Sequence, residues 1–199
     1  MSGSITNFSD LDLTKEYTFA DYLTWKFQER LELIKGKIFQ MSPAPSRFHQ
    51  KVSGNVFYIF RNFLRNNYCG LYSAPFDVRL INFKKSTQDH QVTTVVQPDI
   101  CIICDKEKLD DRGCIGAPDL IVEILSPGNT EKEMGIKFDL YEENQVKEYW
   151  IVEPFDKTIF IYTLQNGKYI GLKPQTHLDT IKSPLFPEMN FAISDVFED

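Results

Sequence analysis

Two acidic residues sit where a soluble chain rarely puts them. Asp99 interrupts Val95-Val96-Gln97-Pro98-Asp99-Ile100-Cys101-Ile102-Ile103, and Glu123 interrupts Leu120-Ile121-Val122-Glu123-Ile124-Leu125. The aliphatic residues around them place each carboxylate in a core strand, where an ionised group needs a partner or a metal. Neighbouring strands lie about 4.8 Å apart, so two such strands side by side would aim both carboxylates at one hard cation such as Mg²⁺. Asp119 shares the face of Glu123, but four residues at about 3.3 Å each separate them by roughly 13 Å, too far for one ion. Its expected role is structural, capping a turn with Pro118. The ordinary alternative for Asp99 is a Pro-Asp turn, and for Glu123 a buried ion pair with a lysine.

The elements that must position these residues can be read from periodicity. Residues 18–31, with Phe19, Tyr22, Leu23, Trp25, Phe27 and Leu31 between charges and Thr18 as a cap, predict a short amphipathic helix. Residues 32–41 predict a hairpin turning at Lys35-Gly36, closed by Ser42-Pro43-Ala44-Pro45. Apolar residues from Phe48 to Leu64 recur at three and four, the signature of a helix over 47–67. Strands are expected at 75–83, 94–104 and 120–125, a helix at about 131–143, and strands at 148–152 and 158–163. Asn166-Gly167 then turns a hairpin into 169–172, and Pro174, Pro184 and Pro187 punctuate a loop-like end. This order implies an α/β core with a mixed sheet between helices.

The chain has 199 residues, 42% hydrophobic and 25% charged, enough for a core without disulfides or a structural metal. A tail over 1–16 and one domain over 17–199 is the expected organisation. No apolar run approaches a membrane span and the N-terminus lacks a signal-peptide layout, so the expectation is a cytoplasmic protein without membrane contact. Four cysteines, Cys69, Cys101, Cys104 and Cys114, have no disulfide-framework spacing and are expected as thiols. Cys101 and Cys104 fall an odd number apart on one strand, so they face opposite ways and do not form a zinc pair.

Taken together, certain segments resemble the PD-(D/E)xK nuclease superfamily, and more closely its Uma-two family of restriction endonucleases. They are 31–38, Met41-Ser42-Pro43, His49-Gln50, Gln97-Pro98-Asp99, Gly116 to Pro127, Lys137 with Tyr141, and Glu148 to Val152. The resemblance implies a restriction-endonuclease-like fold with extra N-terminal and C-terminal strands. It also implies that Asp99, Glu123 and the backbone carbonyl of Ile124 bind a divalent metal, Mg²⁺ or Mn²⁺. Such a metal acidifies a bound water and neutralises phosphate charge, chemistry suited to phosphodiester hydrolysis. One departure stands out. The superfamily lysine two residues after the acid is Leu125 here. Lys137, from the family's own Lys-x-x-x-Tyr pattern, is the replacement to expect, against an exposed pair with Glu133. Glu32 is a candidate third carboxylate or a plain hairpin residue. His49, near a helix N-terminus, is a candidate phosphate contact or proton donor, or a capping residue. Tyr141, one turn from Lys137, is placed to orient it.

The net charge of −6 speaks against nonspecific coating of DNA. Between Lys26 and Gln91, however, eleven basic residues meet four acidic ones, leaving the rest of the chain at −13. That asymmetry permits a DNA-facing surface built from the hairpin, the long helix and the Lys84-Lys85 loop. The leading expectation is a metal-dependent endonuclease acting on DNA as a homodimer, one active site per strand. The alternative is a catalytically inactive nuclease fold that binds nucleic acid or protein.

Overall fold

The computed structural model describes residues 5–41, 45–81, 87–126 and 132–198. Ser42-Pro43, Lys84-Lys85, Pro127, the start of the helix expected at 131 and the Glu133 side chain lie outside the described residues.

Helical spacing overstated the first helix. Thr18 and Asp21 form a reciprocal capping box, but α1 is the single turn Phe19–Tyr22. The Thr24 hydroxyl donates to the Asp21 carbonyl, and the Lys26 amide donates to the Ile5 carbonyl, which draws the chain out of the helical ladder. Tyr17, Tyr22, Trp25 and Phe27 pack ring against ring instead. The hairpin forms as expected, with β1 (Leu31–Ile34) and β2 (Lys37–Gln40) joined through left-handed Lys35 and Gly36. The long helix is α2 (Arg47–Phe63), capped by Ser46 and ending in a 3₁₀ turn over Leu64–Asn66.

The segment after α2 is more broken than alternation suggests. A strand β3 (Gly70–Ser73) was not anticipated, and the strand expected at 75–83 is the short β4 (Val78–Arg79). The run 94–104 divides into β5 (Val95–Val96) and β6 (Ile100–Ile103), which enter different sheets. Pro98, without an N–H to give a ladder, lies at the break. A second unanticipated hairpin, β7 (Leu109–Asp110) and β8 (Gly113–Ile115), precedes β9 (Leu120–Ile124). A π-helical stretch, Lys132–Lys137, then runs into α3 (Phe138–Glu143). β10 (Glu148–Glu153), β11 (Thr158–Gln165) and β12 (Lys168–Gly171) follow as expected. The loop-like end instead carries β13 (Gln175–Thr176), β14 (Thr180–Lys182) and β15 (Asn190–Ala192).

The central sheet has the order β12-β11-β10-β9-β6-β3, with β13 added to β11, and a second sheet has the order β2-β1-β5-β4-β8-β7. β9/β10 in the first and β4/β8 in the second are parallel while their other pairings are antiparallel among the described residues, so both sheets are mixed, as the α/β reading requires. Val52, Val56 and Phe60 of α2 cover one face of the central sheet, against Ile100, Ile102, Val122, Ile124 and Trp150. Leu140 and Tyr141 of α3 cover the other, against Cys101, Ile121, Leu125 and Tyr149. Among the described residues, no helix is long and apolar enough to cross a membrane.

The cysteines correct one expectation. Cys69 and Cys104 form a disulfide, while Cys101 and Cys114 are buried thiols. The pairing was not visible in sequence because β3 was not. Gly70 pairs with Ile103, so the residues just beyond, Cys69 and Cys104, meet across the two strands. The opposite facing of Cys101 and Cys104 holds, since they pack in different halves of the core.

Candidate active site

β6 and β9 are antiparallel neighbours with Ile100 opposite Val122, so continuing the register by one residue sets Asp99 opposite Glu123. Asp99 lies just before β6, where Pro98 has ended the ladder, and its Oδ2 accepts the Ile124 amide at 2.8 Å. Glu123 faces the α3 side of the sheet and is almost wholly buried. Its Oε1 accepts from Lys137 Nζ at 2.7 Å and from the Tyr141 hydroxyl at 2.7 Å. Two donors on one oxygen fix the rotation of that carboxylate. Burial and the charges of Glu123 and Glu32 push the Tyr141 phenol far up, so it remains a donor.

Lys137 is 2% exposed and also reaches Glu32 Oε1 at 3.0 Å. The π-helical stretch ends at Lys137, and α3 then places Tyr141 one turn on, so both side chains arrive over Glu123 together. Glu32 is fully buried in β1, and the Gln97 amide donates to the same Oε1 at 3.0 Å. An ammonium thus lies between carboxylates from two sheets, a buried triad whose members depend on one another for charge balance.

His49 completes the opposite side. Ser46 caps α2 by accepting the His49 amide, which orients the first turn toward the sheet. The ring Nε2 lies 3.1 Å from the Ile124 carbonyl oxygen and 3.3 Å from Asp99 Oδ2. Both are acceptors, so Nε2 carries the proton. Burial pulls its pKa down, but the hydrogen bond and charge of Asp99 and the Ile124 carbonyl outweigh it and hold the imidazole above its ordinary value. Among the described residues, Nδ1 is buried without a hydrogen-bond partner. His49 and Asp99 open onto a polar cleft of about 310 Å³ that Arg30, Gln50, Ser53 and Ser73 also line.

The six side chains singled out from sequence therefore form two clusters, His49 with Asp99 at the Ile124 backbone and Glu32, Lys137 and Tyr141 around Glu123, joined where Glu123 and Ile124 follow each other in β9. Asp119 stays structural, accepting the Cys104 amide and pairing with Lys147. Sequence reasoning gave no role to Gln97 or Arg30. Gln97 joins Glu32 through its amide, and its side chain bridges Asp77 and Arg30. Its place in the Gln97-Pro98-Asp99 segment was the available signal. Among the described residues, no three His, Cys, Asp or Glu side chains converge as a metal cage. The oxygens that do converge on one position are a carboxylate and a main-chain carbonyl, Asp99 Oδ2 and Ile124 O, both turned to the same N–H.

The mixed sheet carrying acids at the junction of β6 and β9 is a nuclease fold. A solved structure, described as a putative nuclease belonging to DUF820 from Anabaena variabilis, superposes with a TM-score of 0.67 at 21% identity, over 91% of this chain and 97% of that one. The chain belongs to the Uma2 family, described as "Putative restriction endonuclease", which matches residues 19–194. An uncharacterized protein of Synechocystis, slr1290, is 28% identical over 145 residues, 71% of each chain.

Proposed function

We propose that the protein is a metal-dependent endonuclease that hydrolyses phosphodiester bonds in DNA, with Mg²⁺ or Mn²⁺ as cofactor. One observation carries the reading: Lys137 is buried against Glu123 and Glu32, which puts an ammonium beside the strand acid although position 125 is leucine. Asp99, Glu123 and the Ile124 carbonyl are the residues to hold the cation. They are hard oxygen donors, and the meeting of Asp99 and Ile124 on one N–H supports their fit to a positive charge. A bound divalent ion would supply an acidified water and neutralise charge on the phosphate.

The chain's own groups do the rest. Lys137 and Tyr141 hold Glu123 in one orientation, and Glu32 holds Lys137. Glu32 is thereby a positioning residue. His49, its pKa held above the ordinary value by Asp99 and the Ile124 carbonyl, stands on the cleft wall where it is placed to protonate the departing oxygen. The polar cleft is the path for the sugar-phosphate strand, and a cytoplasmic homodimer, checked by light scattering, is the assembly that would cut both strands.

A second reading, an inactive fold that binds nucleic acid or protein, draws on the fact that His49 and Lys137 already engage both acids. Supercoiled plasmid separates them. Nicked circles should form with Mg²⁺ or Mn²⁺ and vanish in Asp99→Ala and Glu123→Ala. Binding of the plasmid without cleavage under any metal, and with no Mn²⁺-dependent rise in melting temperature, would instead establish the binding module.

A further inference from the structure

A second cavity, of about 410 Å³, backs onto the other side of His49. Phe48, His49, Leu125, Pro154 and Phe155 make its walls, so it is mainly apolar. Ser126, Glu153 and Lys157 supply the polar groups at its edge. Its residues are the direct continuation of the proposed catalytic strand, because Leu125 and Ser126 follow the Ile124 carbonyl.

Phe155 is 91% exposed, an unusual position for a large aromatic ring. Its backbone is held in place. The turn between β10 and β11 is tied by the Phe155 amide donating to Glu153 Oε1 at 2.8 Å, and Lys157 adopts a left-handed conformation, φ 48°, to close it. An exposed ring on a fastened turn beside a polar cleft offers a surface for stacking.

We propose that this cavity is a subsite for one unpaired nucleobase, stacked on Phe155 next to the phosphate bound at Asp99 and His49. The inference rests on the nuclease reading, since it requires a strand in the polar cleft. Three features select a base over other occupants. The lining is mainly apolar and sets the carboxylate of Glu153 against its one lysine, which disfavours a phosphate. A planar aromatic heterocycle matches Phe48 and Phe155, while Ser126, Glu153 and Lys157 can meet its hydrogen-bonding edge. His49 lines both cavities, so a base in one and its phosphate in the other belong to one nucleotide. A duplex would have to present a frayed, mismatched or extruded base, which makes single-stranded or distorted DNA the better substrate.

The test uses the full chain in Ca²⁺ with a short single-stranded oligodeoxynucleotide bearing one 2-aminopurine, whose fluorescence falls on stacking. Wild type should quench it. Phe155→Ala should abolish the quench and weaken binding by about 5- to 150-fold, the cost of one base-aromatic stack, while Phe155→Trp keeps both. Equal quenching and affinity in wild type and Phe155→Ala, or no oligonucleotide binding at all, overturns the subsite. Plasmid nicking without quenching removes the subsite and leaves the nuclease reading. Quenching without nicking under any metal keeps the subsite and removes catalysis.

Discussion

Lys137 is 2% exposed between two carboxylates, and that burial decides what its substitution does. From sequence, a methionine there should end cleavage and leave the fold intact. The structure corrects the second half. Removing one partner of a buried ionic cluster leaves the others uncompensated, at a cost of about 3–5 kcal/mol. Lys137→Met should therefore lose both activity and stability, and adding Glu32→Gln should recover part of the stability by removing one stranded charge. Urea unfolding of the two single variants and the double checks this; additive losses in the double would show that the residues do not act as a unit. The sequence carried the identity of these groups well, since acids flanked by aliphatic residues at 99 and 123 are legible without a structure. What it could not carry was the partnership. Glu32 lies far from Glu123 in the chain and in a different sheet, and only tertiary packing brings Lys137 against both.

Elements with strong periodicity form where their spacing places them, except α1, which the bonds of Thr24 and Lys26 cut to one turn; elements defined by long-range pairing carry little signal of their own. α2 and β9 to β12 follow from their own apolar spacing. β3 and the β7–β8 hairpin are short and weakly patterned, so only their partners identify them. The same holds for the C-terminal segment, which punctuation by proline suggested was loose. Glu148 of β10 shows what anchors it: this fully buried carboxylate accepts from the Trp150 indole, the Ser183 hydroxyl and the Leu185 amide. Burial raises the Glu148 pKa, and the three hydrogen bonds only partly offset it. A raised native pKa means the folded chain binds the proton more tightly than the unfolded one. The resulting stability is full below the unfolded value of about 4.3 and is lost as pH rises through the native value. Glu148→Gln does not titrate, and it turns an amide donor toward one of the three partners. It should be less stable than wild type by about 1–3 kcal/mol near pH 4, with the gap shrinking as pH rises. Parallel pH–stability curves for the two proteins would remove Glu148 from this account.

Across the whole molecule the charge asymmetry survives in reduced form. Of the basic residues between 26 and 91, Arg79 is buried and paired with Asp110, so it faces no nucleic acid. Lys35 pairs with Glu143, and Lys37 reaches the carbonyl of Thr14 and the carboxylate of Glu16. Among the described residues, the unspent charge lies on exposed Lys26, on Arg30 at the polar cleft, and along α2 and the 3₁₀ turn after it, at exposed Arg47, Arg61 and Arg65, with Lys51 half-buried between them. Against a net charge of −6, this is a narrow basic track leading to an acidic centre. Few phosphates can be neutralised at once, so the salt dependence of binding should be shallow. Contacts to two to four phosphates give a slope of log K against log salt of about −2 to −4, and each of Arg47→Ala and Lys51→Ala should reduce its magnitude by about 1. Anisotropy titrations of labelled DNA in Ca²⁺ over a range of KCl measure it directly. A slope near −8, or one untouched by both substitutions, would mean that DNA lies on another face and that the track along α2 is ordinary solvated helix. A slope within the expected range would make the divalent ion, rather than bulk charge, the feature that admits the phosphate to Asp99 and Glu123.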